Sequence, residues 1–153
     1  HSSGEKQGSK QLGTSAWDWG NGVAVDSSNS IYVTGFNSGG LDGNINSGSY
    51  DIILVKYNSS GTKQWTRQLG SSSTDWGNGV AVDSSNNIYV TGPVYNYGLD
   101  GNTPLGQHDI FLVKYNSSGE KQWTKQFGTS GWDWGNGVAV DSSNNIYVTG
   151  FTS

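Results

Sequence analysis

The chain has 153 residues, 32% hydrophobic and 13% charged, with 24 glycines, 7 Trp, 8 Tyr and neither Cys nor Met. That apolar share is thin for a helical protein with a deep core, and the charged share is about half that of an ordinary soluble domain. A formal charge of −4 offers no basic face for nucleic acid, the lack of thiols excludes disulfides and thiolate metal sites, and no apolar run reaches the ~18 residues of a membrane helix.

The predicted elements are all strands. The first lies within residues 1–13, because His1-Ser2-Ser3-Gly4-Glu5-Lys6-Gln7 matches the turn and strand start at Asn116-Ser117-Ser118-Gly119-Glu120-Lys121-Gln122. It reads as an outer strand, D. Gly8 stands where Trp65 and Trp123 stand later, so either this copy is degraded or residues 1–4 are a tag remnant; the continuing match at Lys10-Gln11-Leu12-Gly13 favours the former.

Residues 14–70 form the first full unit. An aromatic loop, Trp17-Asp18-Trp19, leads into an inner strand A that begins at Gly22. The segment Asp-Trp-Gly-Asn-Gly-Val-Ala-Val-Asp-Ser-Ser-Asn starts at Asp18 and recurs at Asp75 and Asp133, at intervals of 57 and 58 residues. Strand C, from Asp51, places Ile52 and Leu54 on one face and Ile53 and Val55 on the other. A half-wet strand would alternate apolar with polar, so this sheet is covered on both sides.

Residues 71–128 repeat the plan: strand A at 79–83, an Asx-rich turn, strand B at 88–91 ended by Gly92, strand C at 109–115 and strand D at 121–127. Residues 129–153 add a further aromatic loop and an A–B hairpin. Short strands bounded by Gly, Asn and Ser are hairpin-connected and antiparallel, and a ~58-residue period with both faces apolar implies radially stacked blades. The predicted fold is an all-β β-propeller segment spanning 1–153. It has four-stranded antiparallel blades in an incomplete set of about three repeats, two of them complete.

The run Gly-Val-Ala-Val-Asp-Ser-Ser-Asn-Asn-Ile-Tyr-Val-Thr-Gly at 79–92 and 137–150 resembles the bacterial seven-bladed β-propeller (SBBP) repeat family, and is similar also to the NHL repeat. The Leu-Asp-Gly-Asn loop, Asp-Ile-x-Leu-Val-Lys-Tyr and Lys-Gln-Trp-Thr strengthen the resemblance. It implies a propeller and a secreted or surface bacterial protein, a location with which the lack of Cys agrees, and it carries over no catalytic residue.

The residues themselves point away from enzyme chemistry. The two histidines, His1 and His108, are unrelated in the repeat, and no catalytic motif is present. Asp26, Asp83 and Asp141 read as turn formers that accept backbone N–H groups. The Leu-Asp-Gly-Asn loops offer Asp42 and Asn44, then Asp100 and Asn102, as oxygen ligands for calcium. Pro104 replaces Asn46 in the second copy and no bidentate Glu closes either loop, so no cofactor is expected. Trp19, Trp76 and Trp134 are expected to pack between blades. Trp17 and Trp132 are not, because the middle repeat has Thr74 there, and with Asp18 and Asp133 they could stack and hydrogen-bond a sugar ring. The expected role is a non-catalytic module for structural assembly or interaction, with carbohydrate binding as the alternative. Its partners would be further blades of a longer chain or further copies closing into a ring or fibre, since a bare terminal blade face of ~400–600 Å² would forgo roughly 10–15 kcal/mol.

Overall fold

The computed structural model describes residues 4–153; His1 and the match made through it lie outside them. One sheet contains β1 (Asp18–Val25), β2 (Ile31–Asn37), β3 (Asp51–Tyr57) and β4 (Lys63–Leu69). A second contains β5 (Gly79–Val82), β6 (Ile88–Tyr95), β7 (His108–Tyr115) and β8 (Lys121–Phe127), and a hairpin joins β9 (Trp134–Val140) to β10 (Ile146–Phe151). Each sheet is antiparallel and its strands lie in chain order, which is the A–B–C–D succession of a blade. The A–B turns form because Asn29, Asn86 and Asn144 take left-handed backbone, with φ of 60°, 62° and 63°, a region Asn tolerates better than most residues.

The blades stack face to face with the A strands nearest one another. Asn21 Nδ2 donates to the Gly77 carbonyl at 3.0 Å and Asn78 Nδ2 to the Gly135 carbonyl at 2.8 Å, so the inner strands are stitched across each junction. Ile52 and Leu54 of the first blade pack with Val80, Val90, Phe111 and Val113 of the second in one buried cluster. All four expected strand C residues, Ile52, Ile53, Leu54 and Val55, are buried.

Three local expectations need correction. Strand A starts earlier than Gly22: Asp18-Trp19 pairs with Phe36-Asn37, and a bulge between Gly20 and Gly22 absorbs the extra residue. The same bulge recurs opposite Thr149 and Gly150. Asp18 and Trp19 in the first blade and Trp134 in the last hairpin are thus strand rather than loop, while Trp17, Trp132 and Asp133 precede the strands. Strand B does not end at Gly92 but runs through Pro93 to Tyr95. Gly92 is needed there for closeness, because a Cβ would strike the Trp76 carbonyl; Gly35 and Gly150 meet the carbonyls of Trp19 and Trp134 in the same way.

The third correction concerns the segment before the first blade. Over residues 4–13 no strand forms, since no strand C lies beside it to supply a ladder. It nevertheless sits where a strand D would. Lys10 lies against Gly61 as Arg67 lies against Gly119, and Leu12 packs on the cluster of Leu41, Ile53 and Val55. The outer face of the first blade is therefore partly covered, where the strand pattern alone predicts a bare apolar surface. What stays open is its inner edge, with Val23 66% and Val25 55% exposed.

Candidate functional site

The repeated chemistry falls in three zones. At the A–B turns, Asp83 Oδ1 accepts the Ser85 and Asn87 N–H groups at 2.9 and 2.8 Å, and its Oδ2 accepts the Tyr89 hydroxyl at 3.0 Å. Burial pushes the Asp83 carboxyl up, but bonds from Asn87, Tyr89 and Ser85 outweigh it and hold it below the ordinary range. Asp26 and Asp141 accept the equivalent N–H groups. Lys56 and Lys114 lie over the Tyr32 and Tyr89 rings. These aspartates are turn formers, as their sequence suggests.

In the second zone, the calcium candidates are spoken for. Lys63 Nζ donates to Asp42 Oδ2 at 2.6 Å, Thr66 Oγ1 donates to the same oxygen, and together they hold that carboxyl below the ordinary range. Lys121 and Thr124 make the same approach to Asp100. Asn44 and Asn102 turn their amides back onto the Leu41 and Leu99 carbonyls at 2.7 and 2.8 Å. Lys63 and Lys121 thus already pair with the two loop carboxylates. Among the described residues no group of three or more His, Asp and Glu is placed to hold a metal. Chelation is expected to leave the melting temperature unchanged; a fall restored by calcium alone would show that a metal, not Lys63, faces Asp42.

The third zone is an aromatic rim at the start of the A strands. Rings follow one another from Trp19 to Phe36 (6.1 Å between centroids), Trp76 (5.0 Å), Trp134 (5.5 Å) and Phe151 (6.2 Å). Trp76 and Trp134 pack between blades as expected, whereas Trp19 stacks on its own blade and is largely exposed. Trp132 crosses the second junction, its ring 4.5 Å from His108 and its Nε1 donating to Gln107 Oε1 at 2.7 Å. Thr74 occupies that position at the first junction. There Trp17, 67% exposed, joins Trp19, Phe36, Tyr50 and Trp76 around an open cavity of about 300 Å³.

The aspartates paired with these tryptophans in the sequence do not join them in a site. Asp133 is fully buried and accepts the Thr129 N–H at 2.6 Å; Asp18 accepts the Thr14 N–H at 2.7 Å. Each closes the loop that enters its strand. Sequence reasoning also passed over Asp51 and Asp109, fully buried and bonded to Gln68 and Gln126. Their recurrence in both blades was the available signal.

The model of the SBBP beta-propeller repeat matches residues 7–35, 64–92 and 122–153. Each match runs from a D position through the following A–B hairpin, in register with the strands described above. The chain belongs to the SBBP β-propeller repeat family. This SBBP chain is 33% identical over 121 residues to an uncharacterized WD repeat-containing protein of Acanthamoeba polyphaga mimivirus, covering 69% of the chain and 9% of that protein. It is 28% identical over 110 residues to the regulatory protein FlaEY of Caulobacter vibrioides, covering 67% of the chain and 12% of FlaEY. The SBBP repeats here thus span about a tenth of the length of the curated relatives they match. Among the described residues no helix is long and apolar enough to cross a membrane.

Proposed function

We propose that this SBBP segment is a non-catalytic assembly and interaction module of a secreted or surface bacterial protein. The observation that carries the reading is the pair of unfinished blade surfaces. Trp19, Val23 and Val25 are exposed at one end, Tyr147 and Phe151 at the other, while the equivalent side chains of the middle blade are covered by neighbours. Apolar surface of this kind marks an interaction site. Leu12 and Leu41 already shield Ile53 and Val55, so covering the remainder yields a fraction of the stabilisation a bare face would. Further blades meet this need, whether from a longer polypeptide or from copies meeting head to tail as a ring or a fibre.

Native mass spectrometry of the 153-residue chain at micromolar concentration tests the reading. Self-associated species are expected; a sharply melting monomer would overturn it. A second reading rests on the cavity around Trp17. Aromatic walls stack the apolar face of a sugar ring, which favours carbohydrate as a ligand there. Glycan binding abolished by Trp17→Ala, with assembly unchanged, would favour this second reading over the first.

A further inference from the structure

Four carboxylates outside the A–B turns lie in pairs at the two blade junctions. Asp51 of β3 lies beside Asp75, which comes just before β5: the Asp75 N–H donates at 2.8 Å to the carbonyl of Tyr50, the residue preceding Asp51. At the second junction Asp109 of β7 faces Asp133. A Cβ built on Gly128 would lie 2.5 Å from Asp133 Oδ2 and 2.9 Å from Asp109 Oδ1, so those two oxygens flank a single point. Asp51, Asp75, Asp109 and Asp133 are each 0–1% exposed.

Every donor to these groups is neutral. Asp51 takes the Ser47 and Gly48 N–H groups and Gln68; Asp75 takes the Ser71 N–H and hydroxyl. Asp109 takes the Leu105 N–H and Gln126; Asp133 takes the Thr129 N–H and hydroxyl. The ion pairs among the described residues are Lys63–Asp42 and Lys121–Asp100, both elsewhere. The other titratable side chains nearest the junctions are Tyr50, whose carbonyl accepts the Asp75 N–H, Tyr95, whose N–H donates to the Thr74 carbonyl, and His108, whose carbonyl accepts the Asp133 N–H. The His108 ring itself packs against Tyr95 and Trp132.

Two adjacent buried carboxylates without a cation cannot both stay ionised cheaply. One buried carboxylate oxygen at each junction has no donor at all, Asp75 Oδ1 at the first and Asp109 Oδ1 at the second. Asn37 Oδ1 is also unpartnered on the neighbouring strand, but Val94 takes that place in the second blade. A calcium ion would require six to eight oxygens, far more than are free. A single proton requires one.

We propose that each blade junction is locked by one proton held between two buried aspartates, Asp51 with Asp75 and Asp109 with Asp133, so that the blades hold together more tightly in mild acid than at neutral pH. At the first junction, burial above all, with the Asp51 charge added, raises Asp75 to about 6 against the hydrogen bonds from Ser71. A carboxyl raised in the folded state binds its proton more tightly than the unfolded chain does. Stability therefore falls as pH rises from the ordinary carboxylate range, 3.8, through about 6 and is flat above it.

Thermal unfolding of the 153-residue chain, with chelator present and protein concentration fixed, tests this. The melting temperature is expected to be roughly 3–5 °C higher near pH 5 than near pH 7.5. The double variant Asp75→Asn, Asp109→Asn is expected to lose that slope and to melt at least as high as wild type near pH 7.5. Asp18→Asn is expected to keep the slope, because no strand C aspartate stands against Asp18. A slope retained in the double variant overturns the proposal, and so does calcium raising the wild-type melting temperature through these residues. If the double variant does not fold, infrared spectra of wild type near pH 5 decide. A protonated carboxyl band supports the proton lock, and its absence overturns it.

Discussion

A Gly92→Ala chain is expected to lose most of its stability, by about 3 kcal/mol or more, where the same change at Gly8 costs almost nothing. The Gly92 Cα stands so near the Trp76 carbonyl that a Cβ would overlap its oxygen, with the carbonyl carbon at 2.9 Å and Asn78 N at 3.2 Å. These are backbone atoms inside the second blade, so no side chain can rotate aside. Relief requires β6 to part from the Trp76 segment, which would also lift Trp76 off Phe36 and Trp134. Gly8 has nothing within 4 Å of its would-be Cβ. Circular dichroism melts of the two variants make the comparison; equal melting temperatures would show that the close approach is not required.

Phe111→Ala is expected to cost about 3–5 kcal/mol and to lower the melting temperature by roughly 10 °C. The Phe111 ring is fully buried in the cluster that also holds Ile52 and Leu54 of the first blade and Val80 of the second. Truncation therefore leaves a cavity at the seam rather than within one blade. Phe127, on the outer strand β8 and 40% exposed, is the matched control, for which less than about 1 kcal/mol is expected. Denaturant unfolding of both variants measures the difference. Similar losses at the two sites would mean that the first two blades are not coupled through Phe111.

The fold was legible because its signals are local. Strands C and D could be placed to within a residue, since Asp109 to Tyr115 is apolar on both faces and the Asn116-Ser117-Ser118-Gly119 turn is unmistakable. The ends of strands A and B were not legible in the same way. Trp19 reads as loop because Gly20 and Asn21 interrupt the pattern, and only pairing with β2 shows that a bulge carries the strand through them. The surroundings of the candidate residues were hidden for a related reason. Asp42 next to Gly43 and Asn44 suggests a metal loop, but its partner Lys63 is 21 residues away and is brought to it by the C–D hairpin. The Asp51–Asp75 pairing is harder still, because each residue belongs to a different blade. Residue type and spacing said what each group could do; which group it met was decided by stacking.

Near identity of the blades has a consequence for how the chain reaches this structure. β4 reads Lys-Gln-Trp-Thr-Arg-Gln-Leu and β8 reads Lys-Gln-Trp-Thr-Lys-Gln-Phe, and each meets its strand C in the same register, Ile52 with Leu69 and Ile110 with Phe127. Side-chain fit therefore barely distinguishes the right neighbour from one a whole repeat away. Looping out that repeat adds little closure entropy, which grows only with the logarithm of length. Fidelity must come from kinetics, through short turns that close each hairpin before a distant copy of the same strand can arrive. In concentrated solution the distant copy can belong to another molecule, so the blade sequence that makes stacking easy also makes strand exchange between chains the characteristic error.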